Sequence, residues 1–329
     1  MATYFQGEGL LSRRAVMAGA GAVATAPFFA APAHAATTLR VGKSVSESIG
    51  FTPVDIGSKH GIFQTLGINP EITGFGGGAK MHQALAAGGL DIAIGSGPDL
   101  PFIVKGEPAR AVSVIVDAPA YLLVLARADG SIKTIADLKG KTVNVASLAS
   151  MTGWLGAKLW QSQGWAASDL KFTVGPPTTG LALLRSGQAD AMITDGTFAL
   201  KAEEEGNGKI IYNCGALAPV FHTHMIFASD ALIASNPDAI RAFLKGWYQT
   251  IAFMKADRAR MIADIVDVLG LDTNVATKSV DAFTPIFRTD GRFSPAAMAV
   301  LSKSFVEVGA LTGEPADLGK LYTEAYLPG

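Results

Sequence analysis

One pattern occurs twice in this chain, and it constrains the fold more than any other feature. The segment Leu85-Ala86-Ala87-Gly88-Gly89-Leu90-Asp91-Ile92-Ala93-Ile94 is echoed by Leu184-Arg185-Ser186-Gly187-Gln188-Ala189-Asp190-Ala191-Met192-Ile193 at a constant offset of 99 residues. Each copy reads as a helix end, a glycine stop and an apolar strand. Around the first copy, strands are expected at 39–42, 70–73 and 90–94, with helices over 52–66 and 79–87. Thr52 is placed to cap the earlier helix and Pro53 to open it. Around the second copy, strands are expected at 141–146, 170–174 and 189–194, with helices at 153–163 and 179–186. Strands alternating with helices at these spacings specify an α/β fold of βαβαβ units with largely parallel sheets. A strand over 221–227 follows, then helices over 237–254, 259–269, 274–283 and 295–308. This tail holds no third sheet pattern and is expected to return onto the first lobe.

Composition removes several function classes. The 329 residues carry 27 basic and 28 acidic side chains, a balance that argues against nucleic acid as a partner. At 49% hydrophobic, the chain can bury a large core. A single cysteine, Cys214, excludes an internal disulfide and a cysteine-built metal site. No Gly-Lys-Ser/Thr follows a glycine-rich loop and no Gly-x-Gly-x-x-Gly opens the first helix, so a nucleotide is not expected. No Gly-x-Ser-x-Gly elbow marks a serine hydrolase.

The N-terminus reads as an address. Ser12-Arg13-Arg14 precedes a Gly/Ala-rich apolar stretch, and Ala33-His34-Ala35 supplies a small-x-small cleavage site. Residues 1–35 are therefore expected to form a secretory signal of twin-arginine type, cleaved after Ala35, with an ordinary secretory signal as the alternative. Pro27 and Pro32 interrupt the apolar stretch and argue against a membrane anchor.

In open α/β sheets, ligands bind beyond the carboxyl ends of the strands. Those ends fall at 44–51, 75–80, 96–99, Asp117, 147–152, 176–179 and 195–198. Gly77, within Gly76-Gly77-Gly78 before a helix, belongs either to a backbone anion cradle or to a plain turn. Ser150, Met151 and Thr152 head the second lobe's first helix and offer hydroxyls together with free amide groups. Asp99, Asp117 and Asp195 stand at three strand ends. They serve as partners of a ligand amine, as acid/base groups or as helix caps. The 99-residue offset sets Ser96 opposite Asp195, a pair expected to face across the cleft. His222 and His224 alternate along the expected strand and so share a face. No cysteine or glutamate cluster completes a metal site there, and His222 is the one expected to reach the cleft. Phe51 and Phe198 are candidate stacking rings.

These features resemble the periplasmic solute-binding proteins of bacterial ABC importers, in the NMT1-like group of sulfonate, taurine, nitrate and thiamine-pyrimidine binders. The resemblance runs from about Leu39 to Tyr326-Leu327-Pro328. Its carriers are Gly61-Ile62-Phe63, Gly67-Ile68, the 83–91 and 183–190 segments, Ile132-Lys133-Thr134-Ile135-Ala136-Asp137-Leu138-Lys139-Gly140-Lys141 and Asn236-Pro237. It implies the two-lobed type II periplasmic binding protein fold. Residues 36–118 and 221–329 would form one lobe and 119–220 the other, with hinges near 117–121 and 218–222. It further implies ligand contacts from Ser46, Phe51, Ser96, Gly97, Asp99, Ser150 and Thr152. Met151 interrupts the Ser-Thr pair that the family often places at 150–152, which argues against a small oxyanion such as nitrate.

The implied function is capture of a small organic anion by a periplasmic monomer, without catalysis, cofactor or metal. Delivery would be to a membrane permease and its ATPase. A thiamine-pyrimidine precursor is the alternative ligand, and a ligand-presenting sensor subunit the alternative role. Fungal pyrimidine synthases share the implied fold, yet they carry a cysteine-rich motif and an internal cofactor lysine that a chain with one cysteine does not match.

Overall fold

The computed structural model describes residues 36–148 and 150–329. The expected signal peptide, with Arg13 and Arg14, lies outside the described residues. The chain builds two five-stranded sheets joined by two crossings.

The first sheet takes β1 (Thr37–Lys43), β2 (Ile68–Gly74), β3 (Ile92–Ser96) and β4 (Ala109–Val116). Between these strands lie α1 (Thr52–Lys59), α2 (Ile62–Thr65), α3 (Gly78–Ala86) and α4 (Leu100–Val104). Residues 117–121 cross to β5 (Leu122–Arg127), and the second sheet continues with β6 (Thr142–Val145), β7 (Lys171–Val174), β8 (Ala191–Asp195) and β9 (Gly208–Asn213). Its helices are α5 (Met151–Ser162), α6 (Pro177–Ser186) and α7 (Gly196–Glu204). The chain then returns through 218–223 into β10 (His224–Ser229). It ends with α8 (Asp230–Ser235), α9 (Pro237–Ala256), α10 (Arg258–Leu269), α11 (Thr273–Phe283) and α12 (Pro295–Glu307).

The strand orders are β2-β1-β3-β10-β4 and β7-β6-β8-β5-β9. In each sheet four strands run one way and one runs against them, β10 in the first and β5 in the second. The 99-residue repeat maps onto equivalent places, since β3 and β8 each lie third in their sheets. Both central strands are buried along nearly their whole length, as continuous apolar runs covered on two faces should be.

Local departures from expectation have identifiable causes. The single helix expected over 52–66 is two helices, because Gly61 takes a φ of 71° and breaks the right-handed path. Thr52 is inside α1, not its cap; its hydroxyl turns back to the Ile49 carbonyl at 2.8 Å. The last strand starts at His224, not at 221, because residues 222–223 still belong to the crossing.

The tail is expected on the first lobe; α9 lies there, whereas α11 packs on α7 of the second lobe, with Asn274 and Lys278 bound to Glu204. Over its 20 residues α9 buries Ile240, Phe243, Leu244, Trp247, Ile251 and Met254 at helical spacing. It packs on α1 and α2. Gly246 lets the Phe63 ring lie against the helix: a Cβ there would come within 2.6 Å of it. Burial of each such large side chain stabilises the lobe by about 1.5–3 kcal/mol. Among the described residues no helix is long and apolar enough to cross a membrane.

Candidate functional site

The carboxyl ends of β1, β2, β3, β6, β7 and β8 all open on one cavity of about 810 Å³ between the two sheets. The two antiparallel strands bring their starts to the same place, so His224 and Leu122 also line it. Ser44, Ser48 and Phe51 come from the loop after β1, and Phe75 to Lys80 from the turn between β2 and α3. Phe102 and Lys105 come from α4 and the turn after it. The second lobe adds Asn144, Ser147, Ser150, Met151, Thr152, the Pro176-Pro177 start of α6, and Met192 to Asp195.

The α3 end is built for an anion. Gly77 has a φ of 128°, which side-chain-bearing residues rarely adopt, and its N–H donates to the Ser44 carbonyl at 2.9 Å. No side chain caps α3 by a hydrogen bond, although the Asp99 carboxylate packs against Gly78 at its start, where a Cβ would come within 2.6 Å of it. Lys80 and Lys105 are exposed at the same side, and neither forms an ion pair among the described residues.

Of the two cavity carboxylates, Asp195 meets donors on both oxygens and Asp99 on one. Asp195 caps α7 by accepting the Thr197 N–H at 2.9 Å, and its second oxygen accepts the Ser48 hydroxyl at 2.8 Å from the opposite lobe. Protein encloses Asp195 except where it meets the cavity. That desolvation raises its pKa, against the hydrogen bonds from Ser48, Thr197 and Phe198. Asp99 accepts the Ser96 N–H at 2.7 Å, and lies 3.5 Å from Nε2 of the buried His82. His82 Nδ1 sits 2.8 Å from Glu107 on the other side. Burial alone would lower the His82 pKa, but Asp99 and Glu107 outweigh it and raise it to about 9. The imidazolium so held stacks against Phe102, with ring centroids 5.0 Å apart.

At the cavity floor Tyr121 and His224 share a hydrogen bond, with Phe51 packed 4.5 Å from the imidazole. Burial pushes His224 down to about 3 and Tyr121 well above its ordinary value, so both are neutral. His224 Nδ1 and Thr194 Oγ1 are buried without a hydrogen-bond partner among the described residues.

The sequence-derived candidates divide cleanly. Phe51, Gly77, Ser96, Asp99, Ser150, Met151, Thr152 and Asp195 all line the cavity. Ser150 and Thr152 do so with their hydroxyls committed to the loop. Ser150 Oγ donates to the Ser147 carbonyl and accepts the Gly153 N–H, while Thr152 Oγ1 accepts the Ala146 N–H. Ser46 is instead exposed outside the cavity, its carbonyl taken by Lys43. Gly97 is a packing position, since a Cβ there would stand 2.1 Å from the His222 carbonyl oxygen. Phe198 packs half-buried against the core.

Asp117 and His222 pair with each other at 2.7 Å, away from the cavity. Asp117 also binds Arg288, and His222 Nε2 accepts the Ser294 N–H at 2.8 Å. They tie both crossings to the segment leading into α12. The two histidines therefore do not share a face: His222 lies before β10 starts, and only His224 reaches the cavity. Ser96 and Asp195 line the cavity from opposite lobes; the hydrogen bond across it is Ser48–Asp195, with Ser96 in register with His224. Ser44, Ser48, Tyr121, Phe102, Lys105 and Thr194 were not singled out from sequence. The alternation of Ser44, Ser46 and Ser48 was the one available signal. Among the described residues no cluster of three or more metal-ligating side chains is placed to hold an ion.

The family model described as NMT1/THI5 like matches residues 48–260. No curated protein sequence matches the chain. Among solved structures, the periplasmic aliphatic sulphonate binding protein SsuA of Escherichia coli superposes with a TM-score of 0.75 at 20% identity, covering 89% of this chain and 94% of that one. The alkanesulfonate-binding protein SsuA of Xanthomonas axonopodis pv. citri, bound to MOPS, gives 0.73 at 17% identity, covering 88% and 97%. A variant of the desulfurization enzyme DszB in complex with biphenyl-2-sulfinic acid gives 0.65 at 13% identity, covering 88% and 97%. At these identities the likenesses are of fold, and they extend over nearly the whole of the described chain. With the family model spanning well over half of its length, the chain belongs to the NMT1/THI5-like family, on a periplasmic binding protein fold.

Proposed function

We propose that this protein captures a small organic anion between its lobes and hands it unchanged to a membrane permease with its ATPase. The observation that carries the reading is the charge arrangement of the cavity. Its donors gather at the α3 end, namely the uncapped amides with Lys80 and Lys105, while both Asp195 oxygens and Asp99 Oδ2 meet protein donors and Asp99 Oδ1 lies against Gly78 at the start of α3. The remaining wall is largely apolar, a common make-up for small-molecule sites. Closure of two lobes on such a ligand stabilises the closed state by the ligand's differential affinity for it. The SsuA proteins of the same fold bind sulfonates, which supports this class of cargo. Export to the periplasm through the Arg13-Arg14 signal and action as a monomer belong to the same proposal.

Catalysis is not part of it, although DszB shows that enzymes occur on this fold. The one thiol, Cys214, is buried in the turn after β9, outside the cavity lining, and burial pushes it up to about 12. A thiol so placed is not a nucleophile.

The test is calorimetric titration with sulfonates and carboxylates, each beside its neutral alcohol analogue. Only the anions should bind, and Lys80→Ala with Lys105→Ala should weaken them several-fold, more at low salt than at high. Tight binding of a neutral or cationic analogue in place of its anion would end the reading.

A further inference from the structure

The size and wall of the cavity say more about the cargo than its charge does. We infer that the ligand's body is aromatic and about two rings in extent, so that short alkanesulfonates and amino-sulfonates are not its cargo; this rests on the anion-binding reading above. The cavity of about 810 Å³ lies toward the upper end of the roughly 300–1,000 Å³ usual for small-molecule sites. An anion of fewer than about ten heavy atoms would forgo much of the apolar contact the wall offers.

The wall itself is aromatic on the first lobe and carries a thioether, Met151, on the second. Phe51 and Tyr121 are spent on His224, at 4.5 and 4.6 Å between ring centroids. Phe75 and Phe102 line the cavity only half-buried, which leaves ring surface for a guest. Phe102 is backed by the His82 imidazolium, stacked within 11° of parallel, so its ring is fixed in orientation and presents one face. Met151 stands on the other lobe with a small exposed surface, polarisable and shape-tolerant against an aryl group, whereas Met192 is buried with its methyl against Gly180. An ammonium group finds only Asp99 Oδ1 open, beside the positive end of α3, because both Asp195 oxygens carry donors and Ser96 and His82 both meet Asp99 Oδ2.

Titrating the full mature chain with ethanesulfonate, taurine, benzenesulfonate, naphthalene-2-sulfonate and biphenyl-4-sulfonate tests this, with 2-naphthalenemethanol as the neutral control. Affinity should rise at least tenfold from ethanesulfonate to the two-ring anions, with taurine no tighter than ethanesulfonate. Phe75→Leu and Phe102→Leu, each checked for an unchanged far-ultraviolet spectrum, should weaken the two-ring anions at least fivefold and ethanesulfonate less than twofold. Ethanesulfonate or taurine binding as tightly as the two-ring anions would overturn the size inference and leave the anion reading standing. 2-Naphthalenemethanol binding as tightly as its sulfonate would overturn the anion reading and the inference with it. Absence of binding by every two-ring anion at millimolar concentration would likewise overturn the inference.

Discussion

Ser48 donates its hydroxyl to Asp195 Oδ2 at 2.8 Å, and so ties the loop after β1 to the first turn of α7 across the cleft. Ser48→Ala leaves an enclosed carboxylate one donor short, a loss of about 1–3 kcal/mol. Desolvation raises the folded-state pKa of Asp195 above its unfolded value. Its contribution to stability is therefore complete below the unfolded aspartate range and falls as pH rises through the folded value. Melting curves between pH 4 and 7 should show Ser48→Ala falling more steeply than the native chain. Asp195→Asn, which cannot ionise, should flatten the profile.

His82 has the opposite sign. Its pKa of about 9, against 6.5 unfolded, places a stabilising term that is complete below pH 6.5 and lost as pH rises through 9. The shift corresponds to about 3 kcal/mol at most. His82→Gln should remove this alkaline loss while lowering stability at pH 6, where Glu107 loses its buried counter-charge. Imidazole resonances followed from pH 6 to 10 should show the His82 ring titrating near pH 9.

Two glycines near the cleft should fail differently. Gly97→Ala drives a Cβ into the His222 carbonyl and breaks the Gly97 N–H bond to the Thr223 carbonyl at 2.9 Å. The melting temperature should fall, because backbone must move. Gly77 has open space around its Cβ position but a φ of 128°. Gly77→Ala should strain the turn by about 1–3 kcal/mol and re-aim the α3 amides. Anion affinity should drop more than tenfold with only a modest change in melting. Unfolding curves and titrations on both variants separate the cases.

Glu307 at the end of α12 holds the second lobe by accepting Trp154 Nε1 at 2.6 Å and Lys158 Nζ at 2.8 Å. Glu307→Gln keeps the indole bond and loses the ion pair, a change of about 0.5 kcal/mol at this exposure. Glu307→Ala loses both and should shift unliganded protein toward the open form. Small-angle scattering should show a larger radius of gyration for Glu307→Ala alone. Trp154 stacks on Phe221 in the second crossing, so its fluorescence should also report the change.

Most of the architecture was readable because periodicity and glycine stops are local. The repeat placed β3 and β8 correctly, and α9 to α12 begin and end within three residues of their patterns. Three strands, β4, β5 and β9, were not among those expected, and strand direction was not readable, because nothing local says that β10 and β5 run against their neighbours. At the site the loops were found but not the right members of each. Whether Ser44, Ser46 or Ser48 faces the cavity depends on the turn after Lys43, where the two-residue alternation of β1 no longer applies. The roles of Asp99 and Asp195 were open for the same reason. A strand-end carboxylate looks alike in sequence whether it meets a ligand or the amides of its own helix.

The pairing of β10 with β4 has one more consequence. His224 lies opposite Val116, and in the other sheet Leu123 lies opposite Asn213. The polypeptide therefore leaves the first sheet and re-enters it at neighbouring strands, with the whole of β5 to β9 hung between. Topologically that half is a cassette. Exchanging it for its counterpart from a relative would need two cuts a strand's width apart, and would graft one wall of the cleft while leaving the other wall's rings and amides in place.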